Sequence, residues 1–381
     1  MDTLSKSEHL YYSRHITLPE LGISGQKMLK AKKVLVVGAG GLGVPVLQYL
    51  TAAGVGKIGI IDYDRVEIHN LHRQVLFGMH NIGDYKAEAA KLKLEQLNPH
   101  IQIEAFTENL TSENALQLFE NFDLVIDCTD NFPARYLIND ACLILDKPFI
   151  YGSIFKFEGQ VSVFNLVDKE GNRGPNYRDL YPEPPPPELI PNCAEAGVLG
   201  VLPGIIGSMQ ANEAIKIITD IGEPLSGKLY LFDALTMDTQ TISIPKNTTT
   251  PIPEKLIDYE EFCGYKSIKS APKSDPGINV ISYEEITSLA QNKEPIQWVD
   301  VREKEEHERI NLGGDLIPLG ELPDRIGEIN REGKVIVYCQ SGQRSAEAIQ
   351  FLQDKHGYKN LINLKGGILS ALKHQVKNKS A

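Results

Sequence analysis

A glycine-rich turn near the N-terminus carries the clearest chemical signal in the sequence. A run of Val and Leu at 34–37 is followed by Gly38, Gly40 and Gly43, which fit the pattern G-x-G-x-x-G. Glycines at these positions let backbone N–H groups approach a phosphate at the N-terminus of the next helix. The pattern alone is weak evidence, because glycines in such a turn can also be purely structural.

Charged residues after this turn indicate which nucleotide it binds. Asp62 ends the next apolar run, where a carboxylate can accept hydrogen bonds from a ribose, and this combination most often indicates NAD. Arg73 and Lys86 follow. A departing pyrophosphate needs such cations more than a dinucleotide does. The pattern favours cleavage of a nucleoside triphosphate, although Arg73 and Lys86 could simply pair with surface acids.

Asp130 comes directly after a third strand-like run, within residues 121–131. Ligands of open α/β sheets bind at the carboxyl ends of the strands, and a carboxylate there can hold Mg²⁺. Asp130 could instead cap the helix expected over residues 134–145, and the two roles are compatible.

Two of the five cysteines are candidates for reactive thiols. Cys193 follows a Pro-rich crossing loop, expected to contain no regular helix, and could reach an activated carboxyl group, although a spectator role is equally open. Cys339 ends an expected strand and begins a loop before a helix, where backbone N–H groups would stabilise a thiolate or persulfide. The loop is Cys339, Gln340, Ser341, Gly342, Gln343 and Arg344, and Arg344 adds positive charge. Cys128 and Cys142 lie on apolar runs and are expected in the core.

The elements that position these residues predict an α/β protein with more than one domain. The 381 residues suggest two or three domains. A Rossmann-like domain with a mostly parallel sheet is expected over 1–248, a linker over 249–277 and a smaller α/β domain over 278–381. The first begins with a helical lead-in that breaks at residues 22–25 and closes with a hairpin at 228–244.

Composition and charge make some partners and locations less favourable than others. The formal net charge of -11 disfavours binding to nucleic acid or anionic membranes. With no signal segment and no apolar run long enough for a bilayer, a cytoplasmic location is expected. The scattered cysteines do not form a secreted disulfide framework.

The first domain resembles the ubiquitin-activating type of adenylyltransferase, specifically the ThiF/MoeB enzymes of molybdopterin and thiamine biosynthesis. The resemblance covers about residues 8–245. It rests on Gly38-Ala-Gly-Gly-Leu-Gly43, Asp62-Tyr-Asp64, Asn70-Leu-His-Arg73-Gln74, Asp127-Cys-Thr-Asp130-Asn131 and Asn192-Cys193-Ala-Glu-Ala-Gly197.

This resemblance implies a role for each matching residue. Asp62 would bind ribose, Arg73 and Lys86 phosphates, and Asp130 the Mg²⁺. Arg14 would reach the nucleotide of a neighbouring subunit, which implies a homodimer. The complete implied ATP site comprises Gly38, Gly40, Gly41, Gly43, Asp62, Asn70, Arg73, Gln74, Lys86 and Arg14.

The chain departs from this family at the structural zinc. Relatives usually hold it with two C-x-x-C pairs, whereas this chain has Asn176 and Asp179 at the first pair and Glu260 with Cys263 at the second. A tetrahedral Cys₄ site is therefore impossible, and we expect no structural zinc.

The second domain resembles a rhodanese-type sulfurtransferase, with residues 299–303 as its entry motif and 339–345 as its active loop. Four residues separate Cys339 from Arg344, one fewer than in tyrosine phosphatases, and the smaller loop suits sulfur better than phosphate. Residues 306–319 depart from the usual pattern, so the geometry of that loop is not predicted.

Together, these resemblances imply an adenylyltransferase with sulfurtransferase activity. ATP would adenylate the C-terminal carboxylate of a small ubiquitin-like sulfur-carrier protein of the MoaD or ThiS type. A persulfide on Cys339, loaded by a donor such as a cysteine desulfurase, would then supply sulfur, with Cys193 as a candidate covalent intermediate. The alternatives are an NAD-dependent oxidoreductase and a non-catalytic scaffold that binds the carrier.

Overall fold

The computed structural model describes residues 3–185, 197–247, 249, 252–264, 278–289 and 296–372. They belong to two compact units, Met1–Tyr265 and Lys266–Ala381. No helix among the described residues is long and apolar enough to span a membrane.

The first unit is built on an eight-stranded sheet in the order β3-β2-β1-β4-β5-β6-β7-β8. The first five strands in this order are parallel, and the last three pairings are antiparallel. The strands are β1 (Lys33–Val37), β2 (Lys57–Ile61), β3 (Gln102–Phe106), β4 (Leu124–Asp127), β5 (Phe149–Phe155), β6 (Glu158–Phe164), β7 (Lys228–Asp233) and β8 (Thr239–Ser243).

Among the described residues of this unit, nine α-helices surround the sheet, not counting short 3₁₀ turns. They are α1 (Lys6–Tyr11), α2 (Ser13–Ile16), α3 (Gly22–Ala31), α4 (Gly43–Ala53), α5 (Lys86–Leu97), α6 (Ala115–Glu120), α7 (Phe132–Ile144), α8 (Tyr177–Leu180) and α9 (Leu202–Thr219). A tenth, α10 (Tyr259–Phe262), follows the hairpin.

The central strands are buried on both faces, as the continuous apolar runs predict. Residues 34–37 of β1 and 124–127 of β4 are all buried, and apolar clusters cover both sides of the sheet. The predicted closing hairpin is confirmed by the antiparallel pairing of β7 and β8.

Two local predictions for the first unit were wrong. Residues 22–25 do not break the helical lead-in but begin α3, where Gly25 packs closely against the Leu21 side chain. The Pro-rich crossing loop does contain one helical turn, α8. The Asn176 side chain caps this turn by accepting a hydrogen bond from the Arg178 backbone N, and the Asp179 carboxylate accepts one from the Asn176 backbone N.

The segment after the hairpin contributes to the first unit. Helix α10 contacts α7, and the side chains of Tyr259 and Cys263 are buried. Residues 265–277 lie outside the described residues. The domain limits predicted from the sequence, at 248 and 278, stay a prediction.

The second unit is a smaller α/β structure whose five-stranded sheet is parallel throughout, in the order β11-β10-β12-β13-β9. Its strands are β9 (Asn279–Ile281), β10 (Ile296–Asp300), β11 (Asp315–Leu316), β12 (Lys334–Tyr338) and β13 (Leu361–Leu364), and its helices include α11 (Tyr283–Leu289), α12 (Lys304–Arg309) and α13 (Gln343–His356). Strands β9 and β11 were not predicted, because runs of two or three residues carry no readable period.

Candidate functional site

The glycine turn connects β1 to α4 at the carboxyl edge of the first sheet. Gly38 has φ of 97°, and a Cβ there would lie 2.8 Å from the Cys128 carbonyl oxygen. A Cβ on Gly43 would lie 1.9 Å from the Gly38 carbonyl oxygen, so the turn itself requires both glycines. Helix α4 has no side-chain cap, but the Val44 N–H donates to the Gly40 carbonyl oxygen at 3.0 Å and Pro45 has no N–H, so the donors for a ligand must come from the glycine turn.

Asp62 ties the end of β2 to this turn. Its carboxylate accepts hydrogen bonds from the Ala39 backbone N at 2.7 Å and the Asp64 backbone N at 2.8 Å. Burial raises the pKa of Asp62, and the nearby Lys86 charge opposes that rise. The structure therefore places Asp62 near the Ala39 backbone and near Lys86, and the sequence assigned Asp62 and Lys86 to the same site.

Arg73 and Gln74 lie against the two middle glycines of the turn, Gly41 and Gly40. The Arg73 Cδ is 3.7 Å from the Cβ position of Gly41, and the Gln74 Nε2 is 3.8 Å from that of Gly40. Gln74 is 2% exposed, and its Oε1 has no hydrogen-bond partner among the described residues. The Arg73 guanidinium donates to the His69 carbonyl oxygen at 2.9 Å, which holds it on the preceding turn.

Asn70 supports that turn from within. It is 5% exposed, and its Oδ1 accepts a hydrogen bond from the Glu67 backbone N at 3.0 Å. The Asn70 side chain therefore stabilises the local backbone turn, and this turn positions Arg73 and Gln74.

Lys86 is the first residue of α5 and is buried to 6% exposure. Its ammonium forms an ion pair with Asp64 at 2.8 Å. As the alternative expectation had it, Lys86 pairs with an exposed acid, but the lysine itself is buried, unlike in an ordinary surface pair. The partner is Asp64, a motif residue for which no role was predicted.

Asp130 is exposed just beyond β4 and is not the cap of α7. Asn131 is the cap, since its Oδ1 accepts from the Ala134 backbone N at 3.0 Å, so the capping alternative for Asp130 is wrong. Burial raises the pKa of Tyr63, and the charges of Asp64 and Asp130 raise it further. The carboxylates of Asp64 and Asp130 therefore both lie near Tyr63, at the carboxyl edge of the sheet.

A buried polar group beneath Asp130 was missed by the sequence interpretation. Asp127 is fully buried and accepts two hydrogen bonds from Thr129, at 2.9 Å from the backbone N and 2.7 Å from Oγ1. The buried Arg135 guanidinium donates to the Ser153 hydroxyl at 3.0 Å. Burial raises the pKa of Asp127, and Arg135 counteracts this. The two Thr129 hydrogen bonds to Asp127, at the end of β4, hold the start of the loop that carries Asp130.

Two predicted site residues are not joined to this cluster by any described contact. Arg14 is exposed on α2. Cys193 lies outside the described residues, as do all of residues 186–196. Their roles stay predictions.

The positions that hold zinc in the family resemblance take part in other interactions here. Asn176 Nδ2 donates to Asp179 at 3.1 Å, and Cys263 is buried, where burial raises its pKa to about 12. The neighbouring Arg178 makes a bidentate pair with Asp140, at 2.9 and 2.7 Å. No group of three possible metal ligands occurs within the described residues.

The Cys339 loop is the candidate site of the second unit. The thiol is 1% exposed at the end of β12, and its Sγ accepts a hydrogen bond from the Gly342 backbone N at 3.1 Å. The Ser345 hydroxyl lies 3.5 Å from Sγ and donates to Asn363 at 2.7 Å. One backbone N–H of the loop, that of Gly342, donates to the sulfur at the start of α13, whereas the sequence predicted several such groups.

Arg344 departs from its predicted electrostatic role. It makes a bidentate pair with Glu306 on α12, with both N–O distances at 2.8 Å. The Glu306 carboxylate therefore offsets the positive charge of Arg344 near Cys339. Glu306 belongs to residues 306–319, whose loop geometry was not predicted from the sequence. Arg344 holds the pKa of Glu306 below its ordinary value, although burial opposes this.

Comparison with known families decides the classification. A model of the ThiF family matches residues 12–252, and a model of the rhodanese-like domain matches residues 282–373. The chain belongs to the ThiF family. It also carries a rhodanese-like domain, so both predicted resemblances are confirmed.

Similar proteins share this organisation. The probable adenylyltransferase/sulfurtransferase MoeZ of Mycobacterium tuberculosis is 43% identical, over 96% of this chain and 93% of its own length. The sulfur carrier protein adenylyltransferase of Thermus thermophilus is 50% identical, over 69% of this chain and 99% of its own. The adenylyltransferase and sulfurtransferase MOCS3 of Drosophila yakuba is 40% identical, over 96% and 83%. These names support the predicted enzyme class, an adenylyltransferase with sulfurtransferase activity.

Solved structures confirm the fold class. The crystal structure of E. coli MccB with ATP has a TM-score of 0.55 and 21% identity, covering 65% of this chain and 75% of that one. The likeness confirms the predicted α/β fold class.

Proposed function

We propose that this protein uses ATP to adenylate the C-terminal carboxylate of a small ubiquitin-like sulfur-carrier protein, and then converts it to a thiocarboxylate. The observation that carries the proposal is the convergence of Asp62, Arg73, Gln74 and Lys86 around the glycine turn. The names of the related adenylyltransferases support it.

In the adenylation half, the carrier carboxylate attacks the α-phosphorus of ATP, and pyrophosphate leaves. Backbone N–H groups of the glycine turn face phosphate oxygens. Asp62 accepts from the ribose, and Arg73 and Lys86 stabilise the charge that develops on the leaving pyrophosphate. Carboxylate is a poor electrophile, so adenylation supplies the leaving group that sulfur attack requires.

Asp130 fits the role of the Mg²⁺ ligand. Its carboxylate is exposed at the strand edge, and Asn131 rather than Asp130 caps α7. Mg²⁺ commonly takes one or two protein carboxylates plus substrate phosphates, so a dedicated cluster is unnecessary. The ion would neutralise triphosphate charge when bound.

In the sulfur-transfer half, a persulfide on Cys339 attacks the acyl carbon of the adenylate, and AMP leaves. The product is an acyl disulfide. A second thiol then attacks the Cys339 sulfur, which releases the thiocarboxylate and leaves a disulfide that an external dithiol reduces. Cys193 is a candidate for that second thiol. An upstream persulfide donor such as a cysteine desulfurase reloads Cys339.

Joining the two activities in one chain raises the effective concentration of persulfide near the activated carrier. We further propose that the enzyme works as a homodimer in which Arg14 reaches the nucleotide of the partner subunit. Carriers of the molybdopterin and thiamine types are both substrates to be tested.

The deciding experiment is carrier-dependent ATP–pyrophosphate exchange, followed by mass spectrometry of the carrier. Exchange and a mass gain from replacing oxygen by sulfur are expected. Cys339→Ala should retain exchange and lose the sulfur gain. No exchange with carriers of either type would refute adenylation and favour the scaffold alternative, and binding of NAD without ATP would favour the oxidoreductase.

A further inference from the structure

The buried ammonium of Lys86 has a fixed partner within the first unit. Its Nζ lies 2.8 Å from Asp64 Oδ2, and Asp64 is its hydrogen-bond partner within the residues that the structure describes. Lys86 is 6% exposed, whereas the Asp64 side chain is 51% exposed. An ammonium has three N–H donors, so this bond leaves two for a ligand.

The backbone around Asp64 is held rigidly against the start of α5. The Lys86 backbone N donates to the Asp64 carbonyl oxygen at 2.9 Å, and the Val66 N donates to the Asp84 carbonyl oxygen at 2.9 Å. The Arg65 guanidinium lies 3.8 Å from the centre of the Tyr85 ring. Asp64 therefore has little freedom to follow a moving lysine, and it defines where the ammonium stays.

The same loop is connected to the glycine turn. The Asp64 backbone N donates to Asp62, and Asp62 accepts from the Ala39 backbone N. A continuous path of hydrogen bonds thus joins the turn, the ribose-binding candidate and the residue that anchors Lys86. These hydrogen bonds hold the glycine turn, Asp62 and Asp64 in fixed positions relative to one another.

We infer that Asp64 is a positioning residue, which fixes the Lys86 ammonium for the phosphates of a nucleoside triphosphate. The inference rests on the proposed function, because it takes Lys86 as a phosphate contact. An exposed ion pair contributes little, but a buried ammonium deprived of its partner is left unsatisfied and free to shift. A misplacement of about 1 Å at a reacting centre can reduce the rate about 100-fold.

The test measures ATP–pyrophosphate exchange by the full-length protein with a carrier, in the variants Asp64→Asn, Asp64→Ala, Lys86→Ala and Asp64→Ala/Lys86→Ala. Asp64→Ala should lower kcat about 10- to 100-fold. The KM for ATP should change far less, because the lysine charge stays near the phosphates. Asp64→Asn keeps an oxygen acceptor and should lose less.

The double variant separates positioning from other effects. If Asp64 acts through Lys86, Asp64→Ala should cause no further loss in the Lys86→Ala background. A matched control is Glu104→Ala, because Glu104 pairs with Lys57 at 2.8 Å with its side chain 49% exposed, away from the glycine turn. Its kcat and KM should equal those of the wild type.

Wild-type kcat in both Asp64 variants would overturn the inference, and so would fully additive losses in the double variant. Failure of the proposed function would look different, since the wild-type protein itself would then show no exchange. Circular dichroism identifies a variant that does not fold, in which case Asp64→Asn provides the decisive comparison.

Discussion

Two glycines of the same turn should respond differently to replacement by alanine. Gly43→Ala should destabilise the first unit, whereas Gly40→Ala should fold normally and bind ATP weakly. The pair distinguishes a glycine that the fold requires from one that the ligand requires, which the sequence pattern could not do.

The magnitudes follow from the space at each position. A Cβ on Gly43 would lie 1.9 Å from the Gly38 carbonyl oxygen, so the backbone must move, at a cost of about 1–3 kcal/mol or more. On Gly40 the nearest atom would be the Gln74 Nε2, at an ordinary contact distance of 3.8 Å. That alanine should change stability by less than about 1 kcal/mol. Its methyl group faces the proposed phosphate position, so ATP affinity should fall at least tenfold, about 1.4 kcal/mol.

The assay is thermal unfolding of the full-length variants together with calorimetric titration of ATP. The transition of the second unit is an internal control that neither substitution should move. The reasoning is refuted if Gly40→Ala destabilises the first unit as much as Gly43→Ala. Wild-type ATP affinity in Gly40→Ala would refute the placement of phosphate at this turn.

Three further predictions concern the rest of the chain. Tyr259→Phe removes a 2.7 Å hydrogen bond to the buried Asp140 carboxylate and should lower the free energy of unfolding of the first unit by about 1.5–3 kcal/mol. Denaturant unfolding measures this change, and an unchanged midpoint would contradict it. Because Arg344 lowers the pKa of Glu306 from 4.5, this pair stabilises the second unit above pH 4.5 and its contribution is lost as pH falls. The melting-temperature difference between wild type and Glu306→Gln should therefore shrink below pH 4.5, and a constant difference would exclude the pair as its cause. Gly342→Ala should destabilise the second unit by about 1–2 kcal/mol, because its φ is 99°; equal thermal stability would count against that strain.

Local sequence determined the main elements and the family. The apolar run before Gly38 reads as a buried strand because both faces of a parallel sheet are covered. The motifs around the glycine turn and Cys339 occur in continuous stretches, so their spacing is visible without a structure. The same local order predicted that Asp62, Arg73 and Lys86 would serve one site, and the structure brings Asp62 and Lys86 together while placing Arg73 against the glycine turn.

Partners distant in the chain were decided only by the tertiary structure. Arg344 was expected to make its loop positive, but Glu306, 38 residues earlier, pairs with it. The sequence was compatible with either a surface ion pair or a phosphate site for Lys86, and the fold buries the lysine while pairing it with the half-exposed Asp64, 22 residues earlier. Charge and periodicity specify that such a residue needs a partner. Which carboxylate reaches it depends on how the strands and helices pack, and no local pattern records that choice.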